Sequence, residues 1–404
     1  MLRRGILRHI PFILPFTLRA NLLRSGTLAS REEGNVSSYM LHPLTIRRGH
    51  AFEDGFKVRQ GKSLSKKARI EFIDQWGRPE EGIDGGGLFK EFMTQLVEEV
   101  FHARVPGLFS STEQHLLYPS RLSRVLSEGY GLEHYRFVGQ MVGRAILYGI
   151  LLDADFAGFF LNKWVGRSNY FDDLPSLDPS VYQGLLYVKN YEGDVEEDLG
   201  LNFTLTEGEG GEGSGEARVV ELTPGGSSIP VTRANRLQYV YLMANYRLNR
   251  QIDAQSRAFS EGLNQQIPRQ WLGIFSTQEL QHLVSGTSRY IDLDDLKANT
   301  VYSREYTQRD HPVIARFWRV VSAFSEKDLQ LLLRFVTSCE RAPLLGFSEL
   351  EPRFCIHPSS TSQDRLPTAS TCVNMLKLPS YLSDETMKSK LLFAIRSESG
   401  FHFS

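Results

Sequence analysis

The chain has 404 residues, of which 41% are hydrophobic and 23% are charged, and its formal net charge is −1. This length exceeds one ordinary hydrophobic core, so we expect at least two lobes. The balanced charge lacks the basic excess that binds phosphate backbones, so nucleic acid is not an expected partner. No stretch reaches the roughly 18 apolar residues of a membrane helix, so we expect no membrane span.

Three cysteines, Cys339, Cys355 and Cys372, occur without a Cys-x-x-Cys pair. This spacing predicts neither a disulfide framework nor a cysteine-rich zinc site, and it indicates a reducing compartment. We expect no metal and no cofactor.

Residues 1–45 are predicted to form an N-terminal arm. Six arginines precede the first acidic residue, Glu32, a pattern that suits a transit peptide. An amphipathic arm docked on the body, or the beginning of a fragment of a longer chain, explains the same residues.

From about residue 46 the pattern becomes globular. Alternating apolar and charged residues at 68–73 predict a strand, and apolar positions at helical spacing in 88–97 predict a helix. The turn between them, residues 82–87, is Gly-rich like a phosphate-binding loop. No Lys-Ser or Lys-Thr follows Gly87, so glycines that reverse the chain are the preferred explanation.

Residues 46–286 are predicted to form a large, mainly helical lobe, with helices within 133–165, 235–263 and 278–284. The runs 199–205 and 217–222 look like paired strands, and the acidic, Gly-rich residues 206–216 between them predict a flexible hairpin loop. Residues 168–235 are therefore predicted to be a small α/β subdomain inserted in this lobe.

A break at Ser285-Gly286-Thr287-Ser288 predicts a hinge, placed at residues 287–290, before a small α/β lobe at 291–404. Helices are predicted at 312–324, at 326–336 after an N-cap at Ser325, and after an N-cap at Ser383. The predicted fold class is α+β with two lobes, one large and one small.

Cys372 lies in a short segment of small and hydroxyl residues, Thr368-Ala369-Ser370-Thr371-Cys372. Packing gives little reason for a cysteine in such a segment, so Cys372 is a candidate nucleophile. Chemistry alone leaves four hypotheses: a small buried hydrophobe, a papain-like nucleophile, a metal ligand with Cys355 and His357, and a thioester carrier. A thioester carrier requires positioning more than a strong neighbouring base, which suits a cysteine on a small lobe beyond a hinge.

Several short sequence segments, which follow one another in the same order as in the family, resemble segments of HECT-type ubiquitin ligases. They are residues 82–86, 191–196, 229–232, 317–321, 335–339, 341–347, 366–372 and 400–401. The resemblance covers residues 46–404 and implies the bilobed HECT-like fold. Thr-Ser-Cys at 337–339, and Ser370 in place of the usual histidine, resemble the branch that carries an IQ motif rather than the WW-domain branch. Because residue 370 is serine, the resemblance does not imply a histidine that activates Cys372.

The resemblance implies an enzyme that accepts ubiquitin as a thioester on Cys372 from a ubiquitin-conjugating enzyme and transfers it to a substrate lysine. Thr371 is then expected to shape the loop, and Phe401 to act in transfer. The inserted subdomain is expected to dock the conjugating enzyme. The expected docking groove consists of Val181, Leu185, Tyr191, Leu199, Leu201 and Tyr239.

The expected partners are ubiquitin, a conjugating enzyme, protein substrates and the proteasome, and the expected compartment is the cytoplasm or the nucleus. A catalytically inactive scaffold and a cysteine hydrolase are the alternatives. A hydrolase acts without a conjugating enzyme, whereas a scaffold binds its partners equally well after Cys372→Ala.

Overall fold

A computed structural model describes residues 10–32, 44–59, 70–74, 76–79, 87–102, 107–121, 129–207, 218–286, 291–307, 311–337, 339–343 and 346–397. The chain divides into two compact units. The first unit consists of Met1–Pro106, Phe137–Ala154 and Gly262–Ser404, and the second of Gly107–Arg136 and Asp155–Glu261. Within the described ranges, no helix is both long enough and apolar enough to cross a membrane.

The helices and strands are numbered in chain order. Up to residue 148 they are α1 (Phe16–Glu32), β1 (Leu44–Arg47), α2 (Ala51–Arg59), β2 (Ile70–Ile73), α3 (Gly87–Phe101), β3 (Phe109–Ser111), β4 (Leu117–Pro119) and α4 (Leu132–Tyr148). Up to residue 285 they are α5 (Gly158–Trp164), α6 (Pro179–Asn190), α7 (Val195–Leu199), β5 (Thr204–Glu207), β6 (Arg218–Glu221), α8 (Arg236–Asn245), α9 (Asp253–Gln266), α10 (Arg269–Leu272) and α11 (Thr277–Ser285). The remainder are α12 (Leu293–Asn299), β7 (Val301–Tyr302), α13 (Pro312–Ser322), α14 (Glu326–Thr337), β8 (Cys355–Pro358), β9 (Thr368–Ser370), β10 (Met375–Leu378) and α15 (Asp384–Arg396).

Helix α1 is docked in the first unit, as expected if the N-terminal residues form an amphipathic arm that packs on the body. Its Ala20 and Leu23 are fully buried. The Arg19 guanidinium donates to the backbone oxygen of Ile274 at 2.8 Å and to the Glu279 carboxylate. These contacts attach α1 to the segment that leads into α11.

The first unit also contains a parallel strand pair, β1 and β2, with Leu44 opposite Ile70. Inward-facing residues alternate with more exposed ones along both strands, as expected of a half-buried pair. Helix α3 buries Phe92 and Met93 completely. The strand predicted at 68–73 and the helix predicted at 88–97 are confirmed within the described residues.

In the second unit, β3 and β4 form an antiparallel pair beside an aromatic cluster. Trp164 and Phe259 stack with ring centroids 5.2 Å apart, and Phe160 packs edge-on against both. All three side chains are buried, so this cluster is the apolar centre of the unit.

Two predicted helical stretches are interrupted. The stretch 133–165 contains α4 and α5, and α4 ends where Gly149 adopts a positive φ of 67°. A side chain with a Cβ disfavours that backbone conformation, whereas glycine adopts it readily. The stretch 235–263 contains α8, a π-helical turn at Tyr246–Arg250, and the first part of α9.

The inserted subdomain contains α6, α7 and the antiparallel pair β5–β6, in which Thr204 lies opposite Glu221. The paired strands are therefore confirmed, but the first begins later than predicted. The residues before it belong to α7, which begins where the Asp194 carboxylate accepts from the backbone N–H groups of Glu196 and Glu197. This helix ends at Leu199 because Gly200 adopts the left-handed conformation, with φ 56°. Most of the predicted Gly-rich loop lies outside the described residues.

The C-terminal part of the first unit is a four-stranded sheet in the order β7-β8-β10-β9, with α13, α14 and α15 packed around a shared apolar core. Strand β10 is parallel to β8 and antiparallel to β9. Both predicted N-caps are confirmed: Ser325 accepts from the backbone N–H of Asp328, and Ser383 accepts from that of Thr386.

Mixed helices and small sheets confirm the α+β fold class. The predicted subdomain at 168–235 falls within the second unit, which also includes residues 107–136 and 236–261. The predicted hinge at 287–290 lies outside the described residues. The lobe boundaries at 46–286 and 291–404 remain predictions.

Candidate active site

The backbone at Cys372 belongs to a single 3-10 turn, Thr371–Val373, which connects β9 to β10. The two strands are antiparallel neighbours, with Met375 opposite Ser370, so the connection is short and its position is set by the sheet. The Cys372 side chain lies outside the part of the chain that the structure describes. We call residues 371–374 the cysteine turn.

Asn374 closes the cysteine turn. It adopts the left-handed conformation, with φ 50° and ψ 43°, and its backbone N–H donates to the Thr371 carbonyl oxygen at 3.3 Å. Asparagine tolerates this conformation better than most side chains do. The Asn374 carbonyl oxygen accepts from the backbone N–H of Cys355 at 2.9 Å, which joins the turn to β8.

The Asn374 side chain is fully buried and its amide is bonded at both ends. Its Nδ2 donates to the backbone oxygen of Pro352, and its Oδ1 accepts from the Lys90 ammonium at 2.7 Å. Lys90 belongs to α3, and the cysteine turn packs against both α3 and α14. Elements far apart in sequence therefore fix the backbone next to Cys372.

The sequence predictions did not include Asn374 or Lys90. An asparagine placed between a nucleophile and an alternating apolar strand is a signal for a left-handed turn, because asparagine is frequent in that conformation. No local pattern signals Lys90, because it meets Asn374 only through the fold.

The other two cysteines lie where their surroundings disfavour the thiolate. Burial is the main cause that raises the pKa of Cys339, and Asp153 adds to it, while Lys90 and Arg341 oppose it. Burial also raises the pKa of Cys355, against a hydrogen bond with Ser303. The thiolate is the reactive form of cysteine, so both thiols are less reactive than an unperturbed thiol at neutral pH.

The segment after Cys339 contacts the end of α11. The Arg341 guanidinium donates to Ser285 Oγ at 2.6 Å. The position of Gly286 leaves little space, because a Cβ there would lie 3.1 Å from the Ala342 carbonyl oxygen. Arg341 and Ala342 are thus in contact with the residues that directly precede the predicted hinge.

Thr371 is partly buried, and its carbonyl oxygen accepts the hydrogen bond that closes the cysteine turn. Phe401 lies outside the described residues. Among the described residues, no group of three or more His, Cys, Asp and Glu side chains is arranged to hold a metal ion.

The predicted docking groove is divided between exposed and buried residues. Four of its residues are partly exposed, namely Val181, Tyr191, Leu199 and Leu201. Leu185 and Tyr239 are only 6% and 5% exposed, and the Tyr239 ring packs edge-on against Phe203 at 5.6 Å. These two side chains support the surface from beneath and offer little contact area.

Three apolar or aromatic side chains beside the groove are more exposed than its predicted members. Tyr187, Leu237 and Tyr241 are 60%, 49% and 52% exposed. They belong to α6 and α8, which pack against each other. The sequence predictions missed them because helical periodicity does not distinguish a core stripe from an exposed one.

Comparison with known proteins matches residues 94–404 to the HECT-domain (ubiquitin-transferase) family profile. A probable E3 ubiquitin protein ligase of Schizosaccharomyces pombe is 46% identical over 100% of this chain and 39% of its own length. The E3 ubiquitin-protein ligase UPL6 of Arabidopsis thaliana is 41% identical over 99% of this chain and 39% of its own. The human ubiquitin-protein ligase E3B is 37% identical over 99% of this chain and 40% of its own. The chain spans about two fifths of the length of these relatives.

Proposed function

The chain belongs to the HECT-domain (ubiquitin-transferase) family, and we propose that it is a ubiquitin ligase whose Cys372 carries ubiquitin as a thioester. Ubiquitin comes from a conjugating enzyme and leaves to a substrate lysine. The observation that carries the proposal is the similarity over the whole chain to relatives named as ubiquitin ligases.

The proposed chemistry consists of two acyl transfers. The Cys372 thiolate attacks the thioester carbonyl of the charged conjugating enzyme, a new sulfur–carbon bond forms, and the thiolate of the conjugating enzyme leaves. A lysine amine then attacks the new thioester, loses a proton as the amide forms, and releases the Cys372 thiolate. The first transfer exchanges one thioester for another, so it depends mainly on positioning.

Two properties of the site support Cys372 as the carrier. Its turn is closed by Asn374 and anchored to β8 through the Cys355 backbone, so the backbone at the nucleophile has a defined position. The raised pKa of Cys339 and of Cys355 makes both competing thiols less nucleophilic.

We also propose that the conjugating enzyme docks on the inserted subdomain and on the helix that follows it, α8. The contact surface would combine the partly exposed groove residues Val181 and Leu201 with the exposed Tyr187, Leu237 and Tyr241. Aliphatic and aromatic side chains together suit a modest interface that forms and dissociates during turnover.

The remaining roles come from the family resemblance. Phe401 acts in transfer to lysine, Thr371 shapes the loop, and the lobes reorient about residues 287–290. We place the chain in the branch that carries an IQ motif. In support, residues 337–339 are Thr-Ser-Cys and residue 370 is serine. Protein substrates and the proteasome are the further proposed partners, and the cytoplasm or the nucleus is the proposed compartment.

A single-turnover assay tests this proposal. Conjugating enzymes are charged with labelled ubiquitin, mixed with the chain, and separated on non-reducing gels. We expect an adduct that thiols remove, that Cys372→Ala abolishes, and that accumulates in Phe401→Ala. Binding without an adduct, with every conjugating enzyme tried, would instead support the inactive scaffold, and release of free ubiquitin without any transfer to lysine would support a hydrolase.

The docking surface is tested in the same assay. Tyr187→Ala should raise the concentration of charged conjugating enzyme needed for half-maximal rate about tenfold, as loss of an interface aromatic does. Leu382→Ala removes another exposed apolar side chain from the first unit and is the matched control. Equal behaviour of the two variants would refute this docking surface.

A further inference from the structure

We propose that Lys90 is a positioning residue for ubiquitin transfer, which acts on Cys372 through the Asn374 side chain. The inference rests on the proposed function and adds a residue to it. The observation is a direct bond between two parts of the first unit that are 284 residues apart in sequence: the Lys90 ammonium lies 2.7 Å from Asn374 Oδ1.

Asn374 connects this bond to the nucleophile. Its backbone closes the turn by donating to the Thr371 carbonyl oxygen, and its side chain is held at Nδ2 by the backbone oxygen of Pro352. The Oδ1 bond to Lys90 is the remaining anchor of the amide. Pro352 and Lys90 therefore hold the Asn374 side chain from opposite ends of its amide. By holding it, they also fix the left-handed backbone two residues after Cys372.

Helix α3 belongs to the predicted large lobe and the cysteine turn to the predicted small lobe. The bond therefore holds the turn in the lobe arrangement of this structure, which in the proposal is the one in which Cys372 accepts ubiquitin. Phe89, Phe92 and Met93 bury one face of the helix in the first unit, while Lys90 is partly buried on the face toward the cysteine turn. Because the Asn374 side chain is fully buried, removing the Lys90 ammonium takes a donor away from a buried Oδ1. A buried acceptor without a donor is costly, so the amide and the turn are expected to shift.

Such a shift affects rate more than binding. Acyl transfer requires the attacking sulfur near the van der Waals distance of the carbonyl carbon, and small misplacements are expensive in rate. Lys90 lies in the first unit, whereas the proposed docking surface lies in the second. Loss of Lys90 is therefore expected to lower the maximal transfer rate and leave the half-saturating concentration of charged conjugating enzyme unchanged.

The experiment is a double-mutant cycle in the full chain with Lys90→Met, Asn374→Gly and the combination of both. Glycine adopts the left-handed conformation without strain and removes only the side-chain bonds. The readout is the rate of the Cys372 adduct at increasing concentrations of a ubiquitin-charged conjugating enzyme. Lys388→Met removes an exposed lysine of α15 and is the matched control, and circular dichroism verifies that each variant is folded.

We expect Lys90→Met to lower the maximal rate about tenfold, which corresponds to one hydrogen bond to a charged group, with an unchanged half-saturating concentration. In the Asn374→Gly background, the same substitution should change the rate less than about twofold, because the Oδ1 acceptor of residue 374 has been removed. Lys90→Arg, which keeps a charged donor, should recover most of the rate, and Lys90→Gln is the alternative if the methionine variant does not fold.

Three results would overturn the inference: an unchanged rate in Lys90→Met, a faster rate, or an equal loss with and without the Asn374 side chain. The proposed function fails in a different way. If the unmodified chain forms no adduct with any charged conjugating enzyme, the function itself is wrong, and this is known before any Lys90 variant is compared.

Discussion

The contact between Arg19 and Glu279 provides a quantitative prediction for the stability of the first unit. The two side chains are 6% and 24% exposed, and they form two bonds, at 2.5 and 3.0 Å. Glu279 also accepts from the backbone N–H of Ser276 at 2.9 Å as part of the N-terminal capping box of α11. Arg19→Met leaves the partly buried carboxylate with hydrogen bonds from Ser276 alone.

Removing one partner of a buried ion pair costs roughly 3–5 kcal/mol. Because Glu279 keeps the bond from Ser276 and retains some exposure, we expect the lower limit, a loss of about 3 kcal/mol in the free energy of unfolding at pH 7. Arg19→Lys keeps the charge but loses the planar fork, and should cost about half as much. Equilibrium urea denaturation measures both variants.

The same pair predicts a dependence on pH. Burial alone would raise the pKa of Glu279, but hydrogen bonds from Arg19 and Ser276 outweigh it and leave the pKa below its usual value of 4.5. A carboxylate with a lowered pKa stabilises the fold above its unfolded pKa, and this contribution is lost as pH falls through the folded value. The stability difference between the unmodified chain and Arg19→Met should therefore shrink below about pH 4.5. A loss under 0.5 kcal/mol at pH 7, or a loss that is the same at pH 3.5, would refute the reasoning.

Three further predictions use urea denaturation of the purified chain. Gly226→Ala should destabilise the inserted subdomain by about 2 kcal/mol, because the added Cβ would lie 2.4 Å from the Phe203 carbonyl oxygen. Gly184 in α6 has open space around it, so Gly184→Ala should raise the free energy of unfolding by roughly 0.5–1 kcal/mol. Equal effects of the two substitutions would contradict this. Phe259→Ala should cost about 3–5 kcal/mol by leaving a cavity against the stacked Trp164 ring, and a cost near that of a surface substitution would show that the cluster is not the centre of the unit. Ser383→Ala should cost about 1 kcal/mol by removing the N-cap of α15, and an unchanged midpoint would contradict the cap.

Local signals in the sequence predicted local structure well. The caps at Ser325 and Ser383, the helix that became α3 and the strand pair β5–β6 all follow from patterns within a few residues. The break at Gly149 was not predicted, since glycine is also tolerated inside helices and only the observed φ distinguishes the two cases.

The details of the candidate site depend on contacts that the sequence does not reveal. Cys372 stood out by its neighbours, but the residues that fix its turn come from α3 and from the segment before β8. The groove shows the same limit. Leu185 and Tyr239 have the apolar character expected of docking residues, yet the fold buries them and exposes Tyr187 instead.

The most direct test of the account is to identify the residue that carries ubiquitin. After a single turnover with a charged conjugating enzyme, the adduct is isolated without reducing agent, digested and mapped by mass spectrometry. The account predicts the ubiquitin remnant on Cys372 as a thioester, with Cys339 and Cys355 unmodified. A remnant on either of those cysteines, or only on lysine, would contradict the assignment of Cys372 as the carrier.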